Sequence, residues 1–406
     1  MGCGAVAQLF YAPALLEIEK DGVIGVEMLY DPAKENTYRL AKLFPAARIC
    51  QTTPPDNMIN ILDQQRFAGA NPWQAKVKTR PKKVNVSSPA SQPVGISEEY
   101  GRVYTPAGVS ELFQNIDLAI IASPPYLHAD QTIAALESGA AVLCEKPMAT
   151  SISQCQAMNT SAENTGRLLA VGMIRRFFPA SQLIQHVIAN NLLGQVKSFQ
   201  FLEGSVFSWP ARSASFFDKQ QSGGGVLMDT GSHVLDLLIW WFGLPSECKY
   251  EDDTMGGVET NCRLELKYAD RISGIVRLSR DCKLTNKCYI EFENGWLNWS
   301  LLDINTIEIY SKEELIIVDG VMARRGANNS MICTAAKPLA LSDVFVAQIK
   351  NVLAALAGQE KLAVSGKEAA KSIEFIGRCY GRSRLIDMPW LSPAELTKAR
   401  ILGASD

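Results

Sequence analysis

Four polar residues, Asp229, Ser232, His233 and Asp236, interrupt a run from Val226 to Phe242 that is otherwise almost wholly apolar. Their spacing of i, i+3, i+4 and i+7 puts all four on one face of an α-helix. A helix apolar on its remaining sides belongs in a protein interior, where an unpartnered Asp or His is costly. The stripe therefore reads either as a satisfied polar network or as the wall of an active site. On the second reading His233 is a general base near its reference pKa of about 6.5, and Asp229 orients or electrostatically tunes it. His186, within Gln185 to Asn191, has no motif around it and reads as a surface residue.

Two further groups sit at the ends of short apolar runs. Ser123-Pro124-Pro125 follows Leu118 to Ala122, with His128 three residues later, and Glu145-Lys146-Pro147 follows Ala141 to Cys144. In open α/β sheets the crevice beyond the carboxyl ends of the strands is where ligands bind, so both groups should face one cleft. Pro147 restricts Lys146 to extended backbone, which helps aim a long side chain. A lysine held there can hydrogen-bond a substrate hydroxyl and favour its deprotonation. Taken alone, Lys146 also reads as a solvated loop lysine, and His128 as a residue that packs a helix entry.

Gly2-Cys3-Gly4-Ala5-Val6-Ala7 has the G-x-G-x-x-A form that lets backbone approach a pyrophosphate at a helix N-terminus. Asp31, at the end of the next expected strand, suits a carboxylate that bonds the adenosine ribose hydroxyls, and it would repel a 2′-phosphate. NAD is therefore favoured, with NADP as the alternative. The strand expected before these glycines is missing from a sequence that begins at Met1. Either the natural start lies upstream or tight dinucleotide binding has been lost.

The elements that position these residues change character along the chain. In the first half, Val23 to Tyr30 reads as a strand, Pro32 to Phe44 as helical and Ala129 to Ser138 as a helix between two strands, which argues for βαβ units and a parallel sheet. In the second half Arg263 to Tyr268 alternates charged and apolar residues, as a half-exposed strand does. Tyr289 to Glu293 and Trp296 to Trp299 flank Asn294-Gly295, the signature of a hairpin with a type I′ turn. Thr306 to Tyr310 and Leu315 to Val318 continue the strands. Helical sequence returns over Ser342 to Ala357 and Lys367 to Leu385. Residues 1–150 are expected to form a dinucleotide-binding domain, 151–392 a substrate and oligomerisation domain, and 393–406 a tail. Between Gln51 and Gly101 a Pro- and Ser-rich stretch with Lys76, Lys78, Arg80, Lys82 and Lys83 reads as an exposed insertion, or as a lid or subunit contact.

At 406 residues, with 47% hydrophobic and 20% charged residues, the composition is that of a folded two-domain protein. A net charge of −2 gives no electrostatic reason to expect nucleic acid or an anionic membrane as partner. No apolar run approaches the roughly 20 residues needed to span a bilayer, and no secretory signal is evident. Ten cysteines without a Cys-x-x-Cys pair suggest neither a metal site nor a disulfide framework, and a reducing cytoplasm is the expected setting.

Together, Gly2-Cys3-Gly4, Ser123-Pro124-Pro125, Glu145-Lys146-Pro147, Val171-Gly172 through Arg176-Phe177-Phe178-Pro179, and Asp229-Thr230-Gly231-Ser232-His233 resemble the glucose–fructose oxidoreductase/inositol dehydrogenase (Gfo/Idh/MocA) family. The resemblance implies a Rossmann doubly wound parallel sheet, followed by an α+β domain whose open, mostly antiparallel sheet often mediates homo-oligomerisation. It implies Lys146, Asp229 and His233 as the catalytic trio, with His233 as proton acceptor. It also implies that Ser123, Glu145 and Arg176 line the nicotinamide side of the cofactor, and that the Lys146–Pro147 bond is cis. With Pro124 and His128 these complete the expected cofactor set of Gly2, Cys3, Gly4, Val6, Ala7, Asp31 and Lys146. The implied activity is NAD(P)-dependent oxidation of a secondary hydroxyl on a sugar, cyclitol or nucleotide sugar. A silent dinucleotide-binding regulator, or an NAD-dependent glycoside hydrolase on the same fold, are the alternatives.

Overall fold

The computed structural model describes residues 2–50, 103–104, 112–208, 214–269, 272–312, 321–389 and 391–403. The basic stretch between Gln51 and Gly101 and the expected strand Leu315 to Val318 lie outside the described residues.

Short apolar strands build the N-terminal half. β1 (Met28–Tyr30), β2 (Arg48–Cys50) and β3 (Val103–Tyr104) form one parallel sheet, and β4 (Leu118–Ile121), β5 (Ala141–Cys144) and β6 (Leu169–Val171) form a second. Helices α1 (Ala12–Lys20), α2 (Lys34–Ala41), α3 (His128–Glu137) and α4 (Ile152–Thr165) accompany them. All four residues of β5 are buried, as a strand covered on both faces requires. Among the described residues no strand joins β1 to β4, the place that the first strand of a Rossmann sheet would occupy. Gly2 lies at the mouth of that break. Its N–H donates to the Tyr30 carbonyl at 2.9 Å, its φ is +83°, and a side chain there would run into the backbone of Ala122 and Ser123. Only glycine fits.

The C-terminal half follows α5 (Pro179–Ala189). Ten strands form one sheet in the order β14-β15-β13-β12-β11-β7-β10-β9-β8-β16, antiparallel except at β7–β10 and β8–β16. The strands are β7 (Val196–Gly204), β8 (Glu247–Asp252), β9 (Asn261–Lys267), β10 (Ser273–Ser279), β11 (Lys287–Phe292), β12 (Gly295–Ser300), β13 (Thr306–Ser311), β14 (Val321–Arg325), β15 (Met331–Ala335) and β16 (Arg384–Leu385). β9 shows the logic: Cys262, Leu264 and Leu266 are buried, whereas Arg263 and Lys267 on the opposite face are exposed. The longer helices of this half are α6 (Val226–Phe242), α7 (Leu341–Leu356), α8 (Gly366–Tyr380) and α9 (Pro393–Gly403). α6 packs on the sheet, where Phe242 stacks against Phe199 at 5.2 Å. No described helix is long and apolar enough to cross a membrane.

Several expectations need correction. The strand expected from Val23 shrinks to Met28–Tyr30, because the chain is still leaving the Asp21-Gly22 turn and Val23 is exposed. The parallel sheet does not end at residue 150: Val142 pairs with Leu169 and Cys144 with Val171, so α4 is the crossover into β6. The hairpin forms, with Glu291 opposite Trp296, but not around Asn294-Gly295 as a type I′ turn. Neither residue has positive φ, and Gly295 already belongs to β12, where a side chain would strike the Tyr310 carbonyl. The Glu293 and Asn294 amides instead donate to Gln195 and Leu193. The last long helix stops at Tyr380 rather than reaching Leu385, and the supposed tail is helical over Pro393–Gly403.

Trp299 anchors the core between α5, α6 and the sheet, with its ring edge-on to Phe178 and Trp241 and its Nε1–H bonded to the Asp303 carbonyl at 2.8 Å. Trp299→Ala should lower stability by about 3–5 kcal/mol in urea unfolding, and Trp299→Phe by less, since the phenyl ring refills part of the cavity.

Candidate active site

The site is built from the N-terminus of α6. Glu259, buried at 2% exposure, points its carboxylate at that terminus. Oε2 accepts from the Gly225 amide at 2.9 Å, and Oε1 accepts from the Leu227 amide at 2.9 Å and from Tyr380 Oη at 2.8 Å. Two of the amides a helix start leaves unpaired are thereby satisfied. Burial pushes the Glu259 carboxyl pKa up, and these hydrogen bonds hold it down. Gly225 is obligatory here, because a side chain would overlap the Glu259 backbone. The anchored helix then presents Asp229 and His233 one turn apart.

Asp229 lies between two cations. Its Oδ1 is 2.6 Å from Lys146 Nζ and its Oδ2 is 2.9 Å from Arg280 Nη2. Lys146 comes from just beyond the end of β5, before a cis Lys146–Pro147 bond, and Arg280 from just beyond the end of β10. Burial alone would raise the Asp229 pKa, but the two cations and their hydrogen bonds outweigh it and hold it at about 2. The Arg280 guanidinium is 7% exposed and lies 5.6 Å from the ring centroids of both Phe207 and Phe216. Its Nε and Nη1 have no hydrogen-bond partner among the described residues.

His233 is 9% exposed, and its Nδ1 has no partner among the described residues. Burial, then the charges of Lys146 and Arg175, push its pKa well below 6.5. Two expectations are thereby corrected. The imidazole does not titrate near its reference value, and Asp229 does not orient it, because the carboxylate oxygens are taken by Lys146 and Arg280.

The rest of the stripe has other duties. Ser232 donates back to the Asp229 carbonyl at 2.8 Å. Asp236 forms a buried two-pronged pair with Arg176, at 2.8 Å to Nε and 2.7 Å to Nη2, and Arg176 also lies over the Trp240 ring at 5.4 Å. Arg176 is thus anchored in the interior of the C-terminal half. Its neighbour Arg175 points the other way, into a two-pronged pair with Glu203 at 2.7 and 2.6 Å, near enough to act on both Asp229 and His233.

On the Rossmann side His128 is held inside the fold. It is 1% exposed, with Nδ1 2.9 Å from the Pro147 carbonyl and Nε2 2.8 Å from the Ser123 carbonyl, and so ties the two strand-end loops together. Ser123 Oγ is bonded to Gln131 at 2.6 Å, and Pro124 is exposed beside it. Glu145 is buried, accepts from Tyr11 Oη at 2.6 Å and from the Lys146 amide at 3.0 Å, and has its pKa raised by burial.

The glycine loop fits a dinucleotide in several respects. Nothing lies within 4 Å of where a Gly4 side chain would begin, so its backbone is open to a ligand, and the chain turns helical at Ala5. Asp31 stands beside the loop, accepting from the Cys3 amide at 2.7 Å and from the Ala33 amide at 2.8 Å. Cys3 and Ala7 face a small core with Leu29, Leu40 and Phe44 and hold the loop from behind, while Val6 is half-buried. Tyr11, Arg175, Glu203, Glu259 and Arg280 are the site residues that the sequence did not reveal. Each acts through a partner remote in the chain, and only Arg175 sits within a motif, beside Arg176, the residue that the resemblance points to.

Comparisons with known proteins agree with this architecture. A profile of an oxidoreductase family with an NAD-binding Rossmann fold matches residues 64–173, and a Gfo/Idh/MocA C-terminal domain profile matches residues 181–298. The chain belongs to the Gfo/Idh/MocA family. It is 30% identical over 161 residues to D-glucoside 3-dehydrogenase of Escherichia coli K12, covering 38% of this chain and 45% of that protein. It is 28% identical over 186 residues to trans-1,2-dihydrobenzene-1,2-diol dehydrogenase of Mus musculus, covering 45% and 54%. The chain thus spans about half the length of these curated relatives. Its fold is that of the WlbA dehydrogenase of Bordetella pertussis, solved with NADH and UDP-GlcNAcA, at a TM-score of 0.61 and 17% identity over 94% of this chain and 93% of that one. Levoglucosan dehydrogenase, solved with NADH and levoglucosan, aligns at a TM-score of 0.64 and 15% identity over 94% and 96%.

Asp229→Asn removes the charge between two cations while keeping the side chain's size. It should cost about 1–3 kcal/mol of stability at neutral pH, an order set by unpaired buried charges and reduced because Asp229 is a quarter exposed. In the unfolded chain this carboxyl titrates near 3.8, so its stabilisation is present above that pH and is lost as pH falls through about 2. Urea unfolding across that range should show wild type and variant converging as the solution is acidified.

Proposed function

We propose that the protein is an NAD(P)-dependent dehydrogenase that oxidises a secondary hydroxyl of a sugar, cyclitol or nucleotide sugar. The observation that carries this reading is the Lys146–Asp229 ion pair, 2.6 Å long, one helical turn from a neutral His233 whose Nδ1 has no partner among the described residues. Gly2, Gly4, Asp31 and the strand-end loops at Ser123 and Glu145 would hold the dinucleotide, with Asp31 favouring NAD over NADP. A bound nicotinamide would supply the hydride acceptor.

The protein's own residues handle the proton. Lys146 has three donors, and with Asp229 Oδ1 accepting one strongly it can offer another to a substrate hydroxyl, stabilising alkoxide character as it develops. His233, kept uncharged by burial and by Lys146 and Arg175, has a free lone pair for the hydroxyl proton. Asp229 holds Lys146 in place and balances Arg280. The polyhydroxylated substrate class is supported by the sugar and cyclitol names among the relatives, including D-glucoside 3-dehydrogenase of Escherichia coli and a scyllo-inositol 2-dehydrogenase of Bacillus subtilis. For homo-oligomerisation, the open face of the sheet offers half-buried Tyr289, Trp296 and Tyr310 in a row, with centroids 6.0 and 5.9 Å apart.

A panel of sugars, cyclitols and nucleotide sugars, followed by nicotinamide absorbance, tests the reading. Lys146→Ala and His233→Ala should each remove most turnover while leaving dinucleotide affinity within a few-fold of wild type; near-normal rates would refute their roles. Because His233 stays neutral below its ordinary value, the acid limb of kcat/KM should fall below pH 6.5. A limb at or above that pH would count against His233 as the base.

A further inference from the structure

Cys248 and Cys379 are 131 residues apart in sequence, yet their sulfurs lie 3.8 Å from each other. Cys248 is half-buried on β8, and Cys379 is 2% exposed near the end of α8. They meet at a small recess lined by Cys248, Tyr250, Phe375, Arg378, Cys379 and Arg382. Cys248, the less buried of the two, is the sulfur that solvent and a small oxidant can reach.

The two thiols are unequal. A hydrogen bond from Cys379, opposed by burial and assisted by the charges of Arg378 and Arg382, brings the Cys248 pKa down. The same bond, with burial, pushes Cys379 up. The more exposed sulfur, Cys248, is the one a peroxide can reach, and buried Cys379 lies against it at 3.8 Å, the pairing of an attacking thiol with a resolving one. Cys3, Cys50, Cys144, Cys155, Cys262, Cys288 and Cys333 are buried with raised pKa values, and Cys282 is exposed.

We propose that Cys248 and Cys379 form a reversible oxidation site for small hydroperoxides, separate from the dehydrogenase cleft. The Cys248 thiolate attacks one peroxide oxygen, the O–O bond breaks, and the departing oxygen leaves as water after taking a proton. The sulfur becomes a sulfenic acid. The Cys379 thiol then displaces that oxygen as a second water and forms the S–S bond. The two thiols lose two electrons and two protons, and one hydrogen peroxide becomes two waters.

The site reaches the catalytic helix through the next residue. Tyr380 Oη holds Glu259, and Glu259 holds the Gly225 and Leu227 amides at the start of α6. Shortening the sulfur separation from 3.8 Å to a disulfide bond of about 2.05 Å draws the end of α8 toward β8 and shifts the Tyr380 anchor.

The test uses the reduced full chain exposed to hydrogen peroxide, alkylated, digested and analysed by mass spectrometry. A linked Cys248–Cys379 peptide should appear and disappear on adding dithiothreitol. Cys379→Ser should stop the reaction at a Cys248 sulfenic acid that dimedone traps. Oxidation of exposed Cys282 with Cys248 and Cys379 left as thiols would overturn the proposal, whatever the protein's turnover, since no readout uses the dehydrogenase reaction. Amide exchange over residues 225–233 should rise in the oxidised protein; unchanged exchange would overturn the link to the catalytic helix.

Discussion

A carboxylate held between two cations organises the molecule. Asp229 meets Lys146 on one side and Arg280 on the other, and the three come from a helix, a Rossmann strand end and the end of a sheet strand. Buried without them, the carboxyl would be driven toward its neutral form. With them it stays ionised, and its geometry becomes a constraint on both halves of the chain. Neither half can supply the arrangement alone. The parallel sheet must bring Lys146 to the cleft, and the mixed sheet must bring Arg280 behind it.

The same helix shows how partners decide the fate of buried acids. Glu259 at its start is buried and Asp229 one turn in is three-quarters buried, and their pKa values move in opposite directions. Glu259 is met by backbone amides and a tyrosine hydroxyl, which compensate burial only in part. Asp229 is met by full charges. The first carboxyl fixes where the helix begins, and the second fixes what the helix faces. Both depend on the tight glycine run, because a side chain at Gly225 would displace Glu259.

Much of this was legible in the sequence. The 3.6-residue period placed α6 over Val226 to Phe242, and the strand-end motif brought Lys146 to the same cleft as Asp229. Periodicity could not say which polar residues of the stripe face that cleft. Asp236 lies two turns, roughly 10.5 Å, beyond Asp229 along the axis and meets Arg176 instead. Ser232 is short enough to be consumed by its own helix. The Arg175-Arg176 pair was visible, but adjacent side chains point in different directions, so only the fold decides which arginine serves the site. Arg280 carries no local signal, because its role exists only through Asp229 and two phenylalanines. The hairpin turn failed for a related reason: Gly295 is required for close approach to the next strand rather than for positive φ.

His233 combines two demands that conflict for an isolated imidazole. Burial and neighbouring cations make it a weak base, which keeps it neutral, yet a weak base has little drive to take a hydroxyl proton. Lys146 resolves the conflict because its charge acts on both partners. The field that disfavours an imidazolium also favours an alkoxide, so the difference between the two acidities changes less than either one. Arg175 acts on the imidazole, and its pairing with Glu203 moderates that effect. On the proposed reaction, a proton taken by His233 would rest on a ring whose surroundings disfavour holding it, so passing it onward would be easier than from an unperturbed histidine. Asp229 keeps this balance from tipping further: without its charge, Lys146 would act on the ring uncompensated.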